Sequence, residues 1–199
     1  MEIKSIEPKS NYYEINLSNE KYLIKYEQLE NLELYVGKIV EFEDYKKIID
    51  SSRFNEIEIK ARNYCLKRIV SNVKVSDYLK KFDLKCEEKK IIIYNLNELG
   101  LINDELYIEN LISSKKLSNS FSRQKLFSFL KFEGYPLELI NEKMKDYTED
   151  EEFEKMENIF SRKYKNLDTS DLKLKSKVMN YFLSNLYPLE KVRKLLEED

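Results

Sequence analysis

Apolar positions along most of the chain recur every three or four residues. The segment Gly134-Tyr135-Pro136-Leu137-Glu138-Leu139-Ile140 is followed by an apolar stripe, Leu137, Ile140 and Met144. A near copy, Leu186-Tyr187-Pro188-Leu189-Glu190-Lys191-Val192, lies 52 residues further on, with Leu189, Val192 and Leu196 in the same register. In each copy a Pro stands where a helix begins, a position at which its fixed φ and missing N–H are harmless. Upstream, Leu126, Phe127, Phe129 and Leu130 answer Val178, Met179, Tyr181 and Phe182. Two helices and the corner between them therefore repeat, as in an array of modules.

The same spacing predicts three helices between Asn55 and Ile102. Their faces are Ile57, Ala61, Tyr64 and Cys65; Val75, Tyr78, Leu79 and Phe82; and Ile92, Leu96 and Leu99. Gly100 suits the left-handed position after a helix, and Asn103 suits the cap of the next one. Thr148 and Glu151 have capping-box spacing, and the acids 149–152 complement a helix dipole. Residues 166–170 read as a polar loop, and the acidic end 197–199 as a fraying helix. The first 54 residues differ, because their period is nearer two. Tyr13 to Leu17 and Tyr22 to Tyr26 read as strands joined by a turn at Ser18-Asn19-Glu20, with further strand pieces at Ile3 to Ile6 and Lys38 to Phe42. Such a small sheet needs a neighbouring helix to be stable, and Glu43 to Ser51 reads as helical.

The expected organisation is mainly α: three tandem three-helix, helix-turn-helix-like repeats in an elongated arrangement, preceded by a small N-terminal β-hairpin or sheet. The segments are 1–54, 55–102, 103–147 and 148–199. Three Gly and three Pro in 199 residues fit this reading better than a sandwich or barrel.

Composition removes several functions. The chain has no His, which takes away the commonest general base and metal ligand together. Its glycines stand singly at 37, 100 and 134, so there is no phosphate-binding loop or dinucleotide fingerprint. The acids at 149–152 read as caps, and Cys65 and Cys86 read as reduced, small core hydrophobes. No catalytic residue, metal site or cofactor is expected, and the chain is not read as an enzyme. No apolar run approaches the ~20 residues that span a bilayer, and the start lacks a secretory pattern. A cytoplasmic monomer with no membrane contact is expected.

The net charge of −2 hides an uneven distribution. Residues 55–102 carry ten basic against seven acidic side chains. Lys67, Arg68, Lys80 and Lys81 lie there; Lys115, Lys116, Arg123, Lys125 and Lys131 gather further on. These nine are the candidate contacts to a partner or to DNA phosphates. Each is also compatible with ordinary solvated helix surface. Tyr and Phe, 15 and 10 in number, could stack on bases, although most fall on apolar stripes and read first as core.

The order of these pieces resembles the RecX family of bacterial regulators of the RecA recombinase. Tyr78-Leu79-Lys80-Lys81, then Asn97-Glu98-Leu99-Gly100-Leu101-Ile102-Asn103-Asp104-Glu105-Leu106-Tyr107, is similar to that family's join between its first two repeats, and Gly134-Tyr135 to its corner before a third helix. Asp83 and Asn185 stand near corners where the family often has Gly, Ile108 replaces a frequent Ala, and 118–120 lacks a common Gly. The resemblance implies a non-enzymatic modulator that binds the RecA filament on single-stranded DNA, touching the DNA indirectly or weakly, and inhibits ATP hydrolysis and strand exchange in recombination, DNA repair and SOS control. Two other readings stay open: a tandem helix-turn-helix protein acting directly on DNA, for which Arg123-Gln124 offers the one base-reading pair, and a structural adaptor.

Overall fold

The computed structural model describes residues 1–117, 121–164 and 172–197. The expectations for 118–120, 166–170 and 198–199 lie outside the described residues. The chain divides into two compact units, Met1–Ile102 and Asn103–Asp199.

In the first unit, β1 (Ile3–Lys9), β2 (Tyr12–Leu17) and β3 (Glu20–Ile24) form an antiparallel sheet in that order. Ser18 and Asn19 take positive φ, 50° and 75°, as a tight hairpin with right-handed twist requires. Ile3, Ile15, Leu17 and Ile24 turn to one face and are buried. The strand expected at 38–42 reduces to a single bridge between Glu2 and Ile39. After α1 (Tyr26–Asn31) comes α2, which runs unbroken over Phe42–Leu66. The sequence suggested a division near residue 54, but one helix serves both sides of it. Its first half packs Ile48 with the sheet, whereas Ile57, Ala61 and Cys65 share a core with α3 (Asn72–Leu79) and α4 (Cys86–Glu98).

Helix α2 also closes the sheet edge. The Leu23 N–H donates to Ser52 Oγ at 2.9 Å, and the Leu23 carbonyl accepts from Asn55 Nδ2 at 2.8 Å. Main-chain groups that would invite another strand are thereby satisfied by side chains. Two positions depart from the expected core. Leu99 is 56% exposed because the helix has ended there, and Cys86 is exposed in the first turn of α4.

The second unit contains α5 (Asp104–Leu117), α6 (Arg123–Glu133), α7 (Leu137–Lys143), α8 (Glu149–Tyr164), α9 (Leu172–Ser184) and α10 (Leu189–Glu197). Asn103 Oδ1 caps α5 by accepting from the Leu106 N–H at 2.8 Å. The Thr148–Glu151 capping box has both of its hydrogen bonds, at 3.0 and 3.2 Å. The related corners use one geometry. Gly134 and Leu186 both have positive φ, 95° and 60°. The N–H groups of Tyr135 and Tyr187 donate to the Leu130 and Phe182 carbonyls, and both tyrosines are buried. Ile140 and Val192 are buried below them, but Leu137 and Leu189 are half exposed. Those two leucines occupy the first helical turn, so the apolar stripe begins one turn later than its spacing suggested.

Candidate partner interface

Two of the four candidate cations of the first unit, Arg68 and Lys81, stand on aromatic rings. Helix α2 ends and α3 returns beside it, so Tyr64 and Tyr78 stack with centroids 4.2 Å apart and planes 11° apart. Phe82 meets Tyr78 edge-on at 5.4 Å. The Arg68 guanidinium lies 4.7 Å from the Tyr64 centroid, and Lys81 Nζ lies 5.2 Å from that of Tyr78. Each such contact contributes roughly 0.5–1 kcal/mol at an exposed site. Both cations remain exposed and make no ion pair among the described residues. Lys67 is exposed too, while Lys80 bonds Asp77 at 2.7 Å and holds that carboxyl below its usual range.

The second unit treats its basic residues in two ways. Lys115 Nζ and Lys125 Nζ lie 4.6 and 5.3 Å from the Phe121 ring centroid, and Lys125 also donates to Asn185 Oδ1 at 2.8 Å. Lys116 and Arg123 instead turn to the acidic first turn of α8. Lys116 reaches Glu151 at 2.9 Å, and Arg123 approaches Glu149 at 3.6 Å. Glu152 is 2% exposed and accepts from the Arg123 main-chain N–H at 2.7 Å and from Lys191 Nζ at 3.1 Å. The Lys116 hydrogen bond draws the Glu151 carboxyl below its usual range. The acids of this turn thus do more than complement a dipole, since they neutralise two of the expected phosphate contacts. Lys131 stands exposed in the last turn of α6.

Two further lysines escape notice in the sequence. Lys155 donates to the carbonyls of Phe121 at 2.8 Å and Lys115 at 3.3 Å, tying α8 to the last turns of α5 and to Phe121. Its burial lowers the amine to about 8. Lys191 completes the Glu152 group from α10. The Pro-Leu-Glu-Lys string marks Lys191 as part of a repeated corner, but no local pattern marks its partner 39 residues away. Burial raises the Tyr147 and Tyr187 phenols well above their ordinary range.

The fold and surface define a small helical protein, with a sheet at its N-terminal end, that displays cations over aromatic rings. No family model matches the chain. It is 27% identical over 165 residues to the regulatory protein RecX of Streptococcus pneumoniae strains Spain 23F-1 and R6. That alignment takes in 82% of this chain and 64% of those proteins, so the chain spans just under two thirds of the relatives' length. A crystal structure of regulatory protein RecX superposes with a TM-score of 0.74 at 15% identity, covering 100% of this chain and 99% of that one. The crystal structure of RecX from Lactobacillus salivarius gives 0.62 at 18% identity, covering 73% and 96%. The chain is thus similar in sequence to RecX proteins, and its fold is that of solved RecX structures.

Proposed function

We propose that this chain is a RecX-type, non-enzymatic regulator that binds the RecA recombinase filament on single-stranded DNA and lowers its ATP hydrolysis and strand exchange in the cytoplasm. The observation that carries this reading is the agreement between an alignment over 82% of the chain and a fold match over all of it. Helical triplets read as repeated modules offer many modest contacts to a repeating partner, and such contacts sum to useful avidity. The Arg68 and Lys81 face on Tyr64 and Tyr78 supports a contact with phosphates, because its cations are exposed and held in place by the rings. Lys115 and Lys125 around Phe121 form a second such group. Lys116 and Arg123, being ion-paired, leave the contact set and become part of the scaffold.

The test is ATP hydrolysis by cognate RecA on single-stranded DNA with this protein titrated in. A dose-dependent fall is expected; an unchanged rate at several-fold excess over protomers overturns the reading. Direct DNA readout is less well supported, since Arg123 faces α8 and its Nε is buried. Salt-dependent duplex binding without RecA would reverse that ranking.

A further inference from the structure

We infer that a pocket within the first unit binds a single carboxylate carried on an apolar body, with Arg62 as its recognition group. The pocket, of about 490 Å³, lies between the sheet, α2 and α4. That volume falls within the range of small-ligand sites.

Its lining holds a polar cluster centred on Glu58, both of whose carboxylate oxygens accept hydrogen bonds. Glu58, 8% exposed, accepts from Lys25 Nζ at 2.6 Å, Asn95 Nδ2 at 2.6 Å and the Tyr12 hydroxyl at 3.2 Å. Burial, followed by the Glu58 charge, pushes the Tyr12 phenol up to about 12, so it stays a donor at neutral pH. Arg62 stands one helical turn beyond Glu58 and lines the same pocket. Its Nε is buried without an acceptor, and its guanidinium makes no ion pair among the described residues. Because Nε is closed to solvent, a ligand acceptor would be met by the terminal guanidinium nitrogens, which make no ion pair among the described residues.

The ligand's chemistry follows from what surrounds those donors. Leu96, Leu99 and the Tyr26 ring supply apolar wall, and Leu99 and Tyr26 are each 56% exposed at the mouth. Lys25 is committed to Glu58, and Glu27 and Glu98 also line the pocket. One uncommitted cation among acids suits one negative charge and disfavours phosphate chains. The planar fork of arginine matches a carboxylate. A free aryl or alkyl acid, or the terminal residue of a peptide ending in Leu or Phe, presents this combination.

The experiment uses the full chain, ¹⁵N-labelled, titrated with 4-phenylbutanoate, its neutral amide, and the peptide acetyl-Gly-Gly-Leu-Phe as free acid and as amide. The acids are expected to shift the Arg62 Nε–H resonance and the Leu99 amide, and to bind at least roughly tenfold more tightly than the amides, equivalent to about 1.4 kcal/mol. The Arg62→Gln variant is expected to lose that preference. The stronger of the two acids identifies the source as free ligand or chain terminus. Equal binding of acid and amide, or no shift at Arg62 with any probe at millimolar concentration, overturns the assignment. The wild-type comparison decides this even if the variant does not fold, and none of it depends on RecA.

Discussion

Two groups of basic residues, one in each unit, are held in opposite ways. In the first, Arg68 and Lys81 lie over tyrosines and face outward. In the second, Lys116, Arg123 and Lys191 gather around the start of α8, where Glu149, Glu151 and Glu152 absorb their charge. Lysines and arginines that look alike in sequence therefore do different work. An exposed cation on a ring keeps its field for a partner, whereas a half-buried ion pair spends it on holding helices together.

The largest expected effect comes from removing the acid at the centre of the second arrangement. Glu152→Ala leaves the Arg123 N–H and Lys191 without their buried acceptor, which costs about 3 kcal/mol by the precedent of broken buried pairs. Native-state hydrogen exchange should show protection lost in α8 and α10 and retained in α3 and α4. Equal loss in both units would break the comparison.

Charge reversal tests the other half. Arg68→Glu with Lys81→Glu is expected to weaken the proposed inhibition of RecA by roughly tenfold, about 1.4 kcal/mol, while the melting temperature falls by only a few degrees, as two lost cation–ring contacts imply. Lys116→Glu with Arg123→Glu should do the converse: a lower melting temperature, with any loss of inhibition no larger than the loss of folded protein. If the second pair abolishes inhibition at unchanged stability, the interface lies on the second unit.

The pH dependence of stability separates the units again. Lys155, lowered to about 8 by burial, is deprotonated in the folded state at pH values where the unfolded chain still binds that proton. Stability therefore rises between pH 8 and about 10, by about 1–2 kcal/mol. Tyr147 and Tyr187 are raised, so above their ordinary value of 10.0 the unfolded chain releases protons that the fold retains, and stability falls. Tyr12 and Tyr22 add to that fall from the first unit, but the rise belongs to Lys155. Urea denaturation across this range should show the rise in the wild type and not in Lys155→Met.

Much of the fold is legible in sequence because it depends on short-range rules. The Ser18-Asn19 turn, the Asn103 cap, the Thr148–Glu151 box and the repeated corner each involve residues a few positions apart. Leu99, Leu137 and Leu189 show where periodicity misleads, since helix ends carry apolar residues that no neighbour covers. The continuity of α2 past Asn55 was hidden because Ser52 and Asn55, which look like helix-breaking polar residues, are used to seal the edge of β3. The charge network was illegible for a different reason: its partners lie 29 to 39 residues apart. Spacing along the chain shows which cations are neighbours on one helix and says nothing of the acids they will meet.

The smallest predicted effect asks whether the second unit is held by charge alone or also limited by its backbone. Leu186 adopts φ of 60°, and its carbonyl accepts from Ser122 Oγ at 3.0 Å, next to the Arg123–Glu152 contact. A β-carbon is disfavoured in this conformation, and the matching corner uses Gly134. Leu186 is 40% exposed, so removing its side chain forfeits little burial. Leu186→Gly should therefore stabilise the chain by about 0.5–1 kcal/mol, relieved strain outweighing the added freedom of the unfolded state. At Gly134 an added Cβ would meet nothing within 4 Å, so Gly134→Ala tests conformation without crowding and should cost about 1 kcal/mol. Opposite signs from the two substitutions, read as shifts in denaturation midpoint at constant slope, would show the corner to be a backbone device separate from the ions beside it. A loss from both would mean that the Leu186 side chain packs into the network and that the two contributions cannot be divided.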